Sequence, residues 1–140
     1  EKLPLPLAGG EAVDSRSAAG RLIANRCVDI IQPDPALCGG IGAALFISEM
    51  AALSGIRCLP HCWGGAIAIA ASVQLLALLH QPHWGLPTDT PLLEFDLSEN
   101  PWRTEIISAP FRVVDGQIAV PTAPGLGIEV NEDVVRKYAI

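Results

Sequence analysis

An α/β fold of successive strand–helix units closing toward a parallel barrel is predicted by three observations. Four short apolar runs each lead to a side chain that can carry a proton: residues 5–8 to Glu11, Ile30-Ile31 to Asp34, Cys58-Leu59 to His61, and Leu92-Leu93 to Glu94. Those endpoints recur at intervals of about 23 to 33 residues, room for one strand, one helix and two short loops. Apolar stretches with helical spacing lie between them. In a parallel barrel the residues just past the strand ends gather on one face, so the four groups are expected on one catalytic rim.

Taken in order, residues 5–8 predict a strand, Gly9-Gly10 a turn, and Asp14 or Ser15 the cap of a helix running to about residue 25. Residues 28–32 predict the next strand, stopped by Pro33-Asp34-Pro35 because proline cannot donate to a ladder. Gly39-Gly40 leads into a helix over 41–54, ended by Gly55. A third strand over 57–60 runs through His61-Cys62-Trp63-Gly64-Gly65 into a helix from 66 to about 79. That helix is apolar nearly all round, so a partner subunit or another domain is expected to cover its outer side. Residues 80–91 read as a proline-rich loop, and 92–95 as a fourth strand on which Glu94 and Asp96 share a face. Beyond it Asp115-Gly116 signals a hairpin between 111–114 and 118–120, and Asn131 caps a last helix over 132–138. Residues 1–110 thus read as barrel units and 111–140 as a tail wrapping their exterior.

At 140 residues, half of them hydrophobic, the chain can bury a sizeable core. A net charge of −6 with scattered Lys and Arg gives no basic stripe, which argues against a nucleic-acid partner. The apolar stretch 66–79 is shorter than the ~20 residues a bilayer span needs, so no membrane partner is expected. Cys27, Cys38, Cys58 and Cys62 lack the density of a disulfide scaffold and fit a reducing compartment, the cytoplasm. Cys58, His61 and Cys62 lie close in sequence, but no second ligand pair completes a structural zinc set. The opening Glu1-Lys2 reads as the tail of a helix already under way, so a longer protein is expected.

Glu11, after a strand and two glycines, stands where a carboxylate ligand for Mg²⁺ would stand, although a solvated loop glutamate has the same sequence appearance. Asp34 and His61 follow neighbouring strands, which would let the carboxylate accept the imidazole Nδ1–H and leave Nε2 to exchange a proton. The competing readings are a turn aspartate between two prolines and a histidine satisfied by backbone groups. Glu94, one residue into an apolar strand end, is expected to have a raised pKa and to donate a hydrogen bond, unless it pairs with Arg103 or another base. Trp63 either walls a pocket or packs. Gly125-Leu126-Gly127 lacks the strand–loop–helix setting of a phosphate loop and reads as a turn. His80 and His83 are expected at the surface of the long loop.

The ordered motifs Leu-Ala-Gly-Gly-Glu (7–11), Asp-Ile-Ile-Gln-Pro-Asp with Gly-Gly-Ile (29–41), Pro-His-Cys-Trp-Gly (60–64), Leu-Glu-Phe-Asp (93–96) and Val-Pro-Thr-Ala-Pro-Gly-Leu-Gly-Ile-Glu (120–129) cover nearly the whole chain. Together they resemble the C-terminal half of a mandelate racemase/muconate lactonizing enzyme-type member of the enolase superfamily. The resemblance implies the last strands of a (β/α)7β TIM-type barrel with an extended tail, Mg²⁺ as cofactor, and abstraction of the proton α to a carboxylate through a stabilised enediolate. Carried over by position, Glu11 is implied as a metal carboxylate, Asp34 and His61 as the acid–base dyad, Glu94 as donor to the substrate carboxylate, and Trp63 with His61 and Glu94 as substrate contacts. The stretches around 60–64 and 94–103 are most similar to acid-sugar enzymes, galactarolactone cycloisomerase and sugar-acid dehydratases among them. Dehydration or cycloisomerisation of an acid sugar is therefore expected, with racemisation or epimerisation of a 2-hydroxy acid as the alternative. The family's capping domain, first four strands, lysine base and other two metal carboxylates have no counterpart here. A homo-oligomer joined through the barrel and capping domain is implied for the whole enzyme. The 140 residues alone are expected to be inactive, or to be a split piece serving only folding or assembly.

Overall fold

Three parallel strands form the frame: β1 (Ala8–Gly9), β2 (Ile30–Ile31) and β3 (Arg57–Cys58), in the order β1-β2-β3. The structure, a computed structural model, describes residues 4–79 and 91–139. Register runs Ala8 to Ile30 to Arg57 and Gly9 to Ile31 to Cys58. Beyond β3 the ladder continues, with Leu59 N–H donating to the Ile31 carbonyl at 3.1 Å and His61 N–H to the Pro33 carbonyl at 3.2 Å. β1 begins later than the expected strand over 5–8, and Gly9 lies in the ladder instead of a turn. Leu5 and Leu7 stay exposed, while the Asp29 carboxylate takes the Leu7 N–H at 2.8 Å.

Helices α1 (Arg16–Ala24), α2 (Ile41–Leu53) and α3 (Ala66–Leu79) connect and cover these strands. Ser15, not Asp14, caps α1 by accepting the Ala18 N–H, and Gly55 at φ +68° ends α2 one residue past its Ser54 cap. The main core joins Ile23 of α1, Ile31 of β2, Ala44 and Ile47 of α2 and Leu75 of α3. Ile31, Ile47 and Leu75 are fully buried, each contributing about 1.5–3 kcal/mol by leaving water. The 14 residues of α3 are fewer than a bilayer span needs, and no helix among the described residues is long and apolar enough to cross a membrane.

The cover expected for α3 from a partner or another domain comes in large part from this chain itself. Leu93, Phe95, Phe111 and Ile118 pack on Cys62, Ile69 and Val73, while Ile106, Ile107 and Ile128 close over Ala66. Gln74, polar within an apolar helix, donates to the Pro121 carbonyl at 2.8 Å and ties the tail to α3. A short helix α4 (Pro101–Thr104) precedes the tail, which holds a hairpin of β4 (Val113–Val114) and β5 (Gln117–Ile118), and α5 (Glu132–Tyr138). Asp115 at φ +51° and Gly116 at φ +74° form the turn of the hairpin, as expected of that pair. Asn131 caps α5 through the N–H groups of Asp133 and Val134.

The expected strand over 92–95 is not one. Its residues join no ladder among those described, and a side chain makes the contact with the segment after β3: Glu94 accepts the Cys62 N–H at 3.1 Å. The loop over 80–91, with His80 and His83, lies outside the described residues apart from Pro91.

Candidate functional site

Both β2 and β3 end in proline-interrupted segments that turn toward the helix N-termini, and those ends carry the polar groups. His61 follows the fully buried Pro60, which anchors the backbone immediately before it. Its Nδ1 lies 2.6 Å from Glu94 Oε2 and 3.7 Å from Glu11 Oε2. The first distance is a short charge-assisted hydrogen bond, and the second is electrostatic proximity without one. Glu94 is further held by the Cys62 N–H at 3.1 Å on Oε2 and the Gln32 amide at 3.0 Å on Oε1.

This arrangement corrects two expectations. Asp34 does not bond to His61, although the register carries the two to equivalent positions past β2 and β3. Its Oδ1 turns back to accept the Ala36 N–H at 2.7 Å, and its carbonyl accepts the N–H groups of Leu37 and Cys38, so it holds the turn between its two prolines. Glu94 takes its place as the acceptor for Nδ1. The expected rise in the Glu94 pKa is also reversed. Burial pushes that carboxyl up, but the Cys62 N–H, the Gln32 amide and the His61 ring together outweigh it and hold it below the usual carboxylate range. An ionised Glu94 accepts hydrogen bonds and does not donate one. Nor does Arg103 pair with it, since that guanidinium binds Asp96.

With Nδ1–H directed at Glu94, the imidazole has the tautomer that leaves its Nε2 lone pair free to accept a proton. The chemistry available is therefore general base and general acid, with the imidazolium stabilised by an adjacent carboxylate. Nearby thiols are poor nucleophiles: burial pushes Cys62 up and takes Cys58 to about 12.

Mg²⁺ demands six oxygen donors in near-octahedral geometry. Glu11 offers an exposed carboxylate, but Glu94 has both oxygens engaged, and among the described residues no three His, Cys, Asp or Glu side chains are grouped to hold a metal. The residues present do not make an Mg²⁺ site by themselves.

Gln32 was not singled out from sequence. A polar side chain two residues before Asp34, at the carboxyl end of a parallel strand, was the available signal. Trp63 stands 74% exposed beside this cluster, its indole N–H donating to Asp96 Oδ2 at 2.9 Å. His61 and Trp63 thus meet Glu94 and Asp96 in matching alternation.

The family described as enolase C-terminal domain-like matches residues 1–134. D-galactarolactone cycloisomerase of Agrobacterium fabrum is 36% identical over 135 residues, covering 96% of this chain and 36% of that protein. Arabinonate dehydratase of Saccharolobus solfataricus is 30% identical over 138 residues, 99% of this chain and 35% of that protein. In three dimensions, the 3,6-anhydro-D-galactonate cycloisomerase of Zobellia galactanivorans superposes with a TM-score of 0.84 at 35% identity, over 96% of this chain and 36% of that one. The chain spans about a third of the length of the curated relatives it matches.

Proposed function

The chain belongs to the enolase C-terminal domain-like family, and from that premise we propose that it is the proton-transfer part of an acid-sugar lyase or isomerase. In the complete protein, residues 1–110 would supply the last units of a (β/α)7β barrel and 111–140 its tail. The parallel order β1-β2-β3 and the change to an antiparallel hairpin after residue 110 support this division.

The observation that carries the function is the 2.6 Å contact between His61 Nδ1 and Glu94. His61 Nε2 accepts the proton α to the carboxylate of a small sugar acid, and Glu94 stabilises the imidazolium so formed. The same nitrogen then returns a proton to a leaving oxygen. Departure of a β-hydroxyl makes the reaction a dehydration and departure of a lactone ring oxygen a cycloisomerisation, whereas a racemisation would need a second acid, outside this chain, to protonate the opposite face of the carbon. The named activities of the relatives support the first two. Asp34 holds the turn next to Pro33, whose carbonyl accepts the His61 N–H, Trp63 borders the substrate, and Glu11 would give one carboxylate to an Mg²⁺ site completed by donors outside this chain. Four free thiols support a cytoplasmic setting.

A second reading, that the chain is a split piece acting in assembly, is supported by the absence, among the described residues, of three grouped side chains able to hold a metal. Intact mass of the protein from its source separates the two. In the first case the mass is well above that of 140 residues, and the protein with Mg²⁺ converts a galactarolactone, galactonate, arabinonate or gluconate. Semicarbazide detects the 2-keto product and NMR the opened ring. His61→Asn should lower kcat by roughly 10²–10⁴-fold. Turnover unaffected by His61→Asn, or none across the panel by folded protein, overturns the enzymatic reading.

A further inference from the structure

An indole left in solvent ordinarily samples several rotamers, yet the Trp63 N–H is fastened to an acid that is itself immobilised. Asp96 accepts the Ser98 N–H and hydroxyl, both at 2.8 Å, as well as the Trp63 indole. The buried Arg103 reaches Asp96 Oδ2 at 2.5 Å, and its other terminal nitrogen bonds the Asp96 and Ser98 carbonyls. Ser98, Arg103 and Trp63 keep the Asp96 carboxyl ionised down to about 2. None of this network is needed for proton transfer at His61. It holds a large ring beside that histidine with its polar edge satisfied and its apolar faces open.

We propose that Asp96, clamped by Ser98 and Arg103, is a positioning residue that fixes the Trp63 indole as the side wall against which the carbon chain of a polyhydroxy carboxylate lies. The proposal rests on the reading of His61 as the acid–base group. An aromatic face carries partial negative charge and attracts the weakly positive C–H groups of a sugar chain, leaving its hydroxyls to turn outward. A ring locked in one orientation binds such a chain without the entropy loss of ordering it. The Trp63–Asp96 pair, two residues beyond His61–Glu94 in both segments, sets the wall beside the base.

The test has a readout that needs no turnover. In protein labelled with 5-fluorotryptophan, the Trp63 resonance is assigned by its loss in Trp63→Phe, and Asp96→Ala should shift it toward the solvent-exposed position. In the complete enzyme, Asp96→Ala should raise KM about tenfold while leaving the pH profile of kcat in place. Trp63→Phe, which keeps a ring but cannot donate to Asp96, should raise KM similarly without touching the Arg103 clamp. The double variant should be no worse than either single, because both remove one interaction. Asp96→Asn, which keeps an acceptor for the indole N–H, should recover most of the KM. An unmoved fluorine resonance in Asp96→Ala overturns the positioning. A wild-type KM in Trp63→Phe, or a shifted pH profile in Asp96→Ala, overturns the wall. Absence of turnover in the unsubstituted enzyme instead overturns the acid–base reading, while the fluorine resonance still decides the positioning.

Discussion

Residues 4–79 satisfy their backbone through three parallel strands and three helices around the main core, whereas residues 91–139 attach by apolar packing on α3 and by side chains that reach backbone groups. The first region buries Ile31, Ile47 and Leu75 completely, while α5 of the second buries nothing. Its ties to the first region are Gln74 to the Pro121 carbonyl, Glu94 to the Cys62 N–H and the packing of Leu93, Phe95, Phe111 and Ile118 on Cys62 and α3, while Arg103 on the Asp96 and Ser98 carbonyls and the Ile107–Val130 bridge hold it internally. The candidate site lies on the seam, with His61 and Trp63 from one region and Glu94 and Asp96 from the other. The His61–Glu94 contact placed there depends on the weaker attachment, so its geometry can be lost while most of the fold survives.

The largest loss is expected at Ile47, which is fully buried in α2. Ile47→Ala should cost about 2–5 kcal/mol in urea unfolding and raise amide exchange in both regions, because the tail docks on α3 of that core. Exchange raised in residues 91–139 alone would contradict this dependence. A smaller and more local loss is expected at Gly127, where φ is +74° and an added Cβ would clash with the Pro121 Cβ. Gly127→Ala should cost about 1–3 kcal/mol through backbone strain and that clash, with faster exchange near residues 106–131 and protection of α1 and α2 retained.

The smallest effect is the pH dependence of the seam. Glu94 titrates lower in the folded chain than unfolded, so its contribution is complete above about 4.3 and is lost as pH falls through the depressed folded value. Being half-exposed, it is well screened. Between about pH 6 and 3.5, wild type should lose roughly 0.5 kcal/mol more than Glu94→Gln in urea midpoints. Equal losses would show that the His61–Glu94 contact is not maintained in solution.

The elements whose stability is local were the most legible. Ser15, Gly55, Asp115-Gly116 and Asn131 announce helix ends and a hairpin through conformational preferences that belong to the residue itself. Strand limits were less so, since a ladder exists only where a partner supplies it, and Leu92-Leu93 has strand composition without one. Within the site, residue types were readable but partnerships were not. Asp34 and Glu94 are both acids past an apolar run, and nothing in composition says which one His61 meets.

Sequence alone therefore determined the alternation of strand and helix, the capped ends, and the presence of Glu11, Asp34, His61 and Glu94 past apolar runs. Only the tertiary structure decided that Asp34 turns back on Ala36 while Glu94, held by Gln32 and Cys62, reaches His61. The reason is the range of the forces. Caps and turns are set within about four residues, whereas a carboxylate's partner and pKa are set by which donors the packed chain brings within about 3 Å.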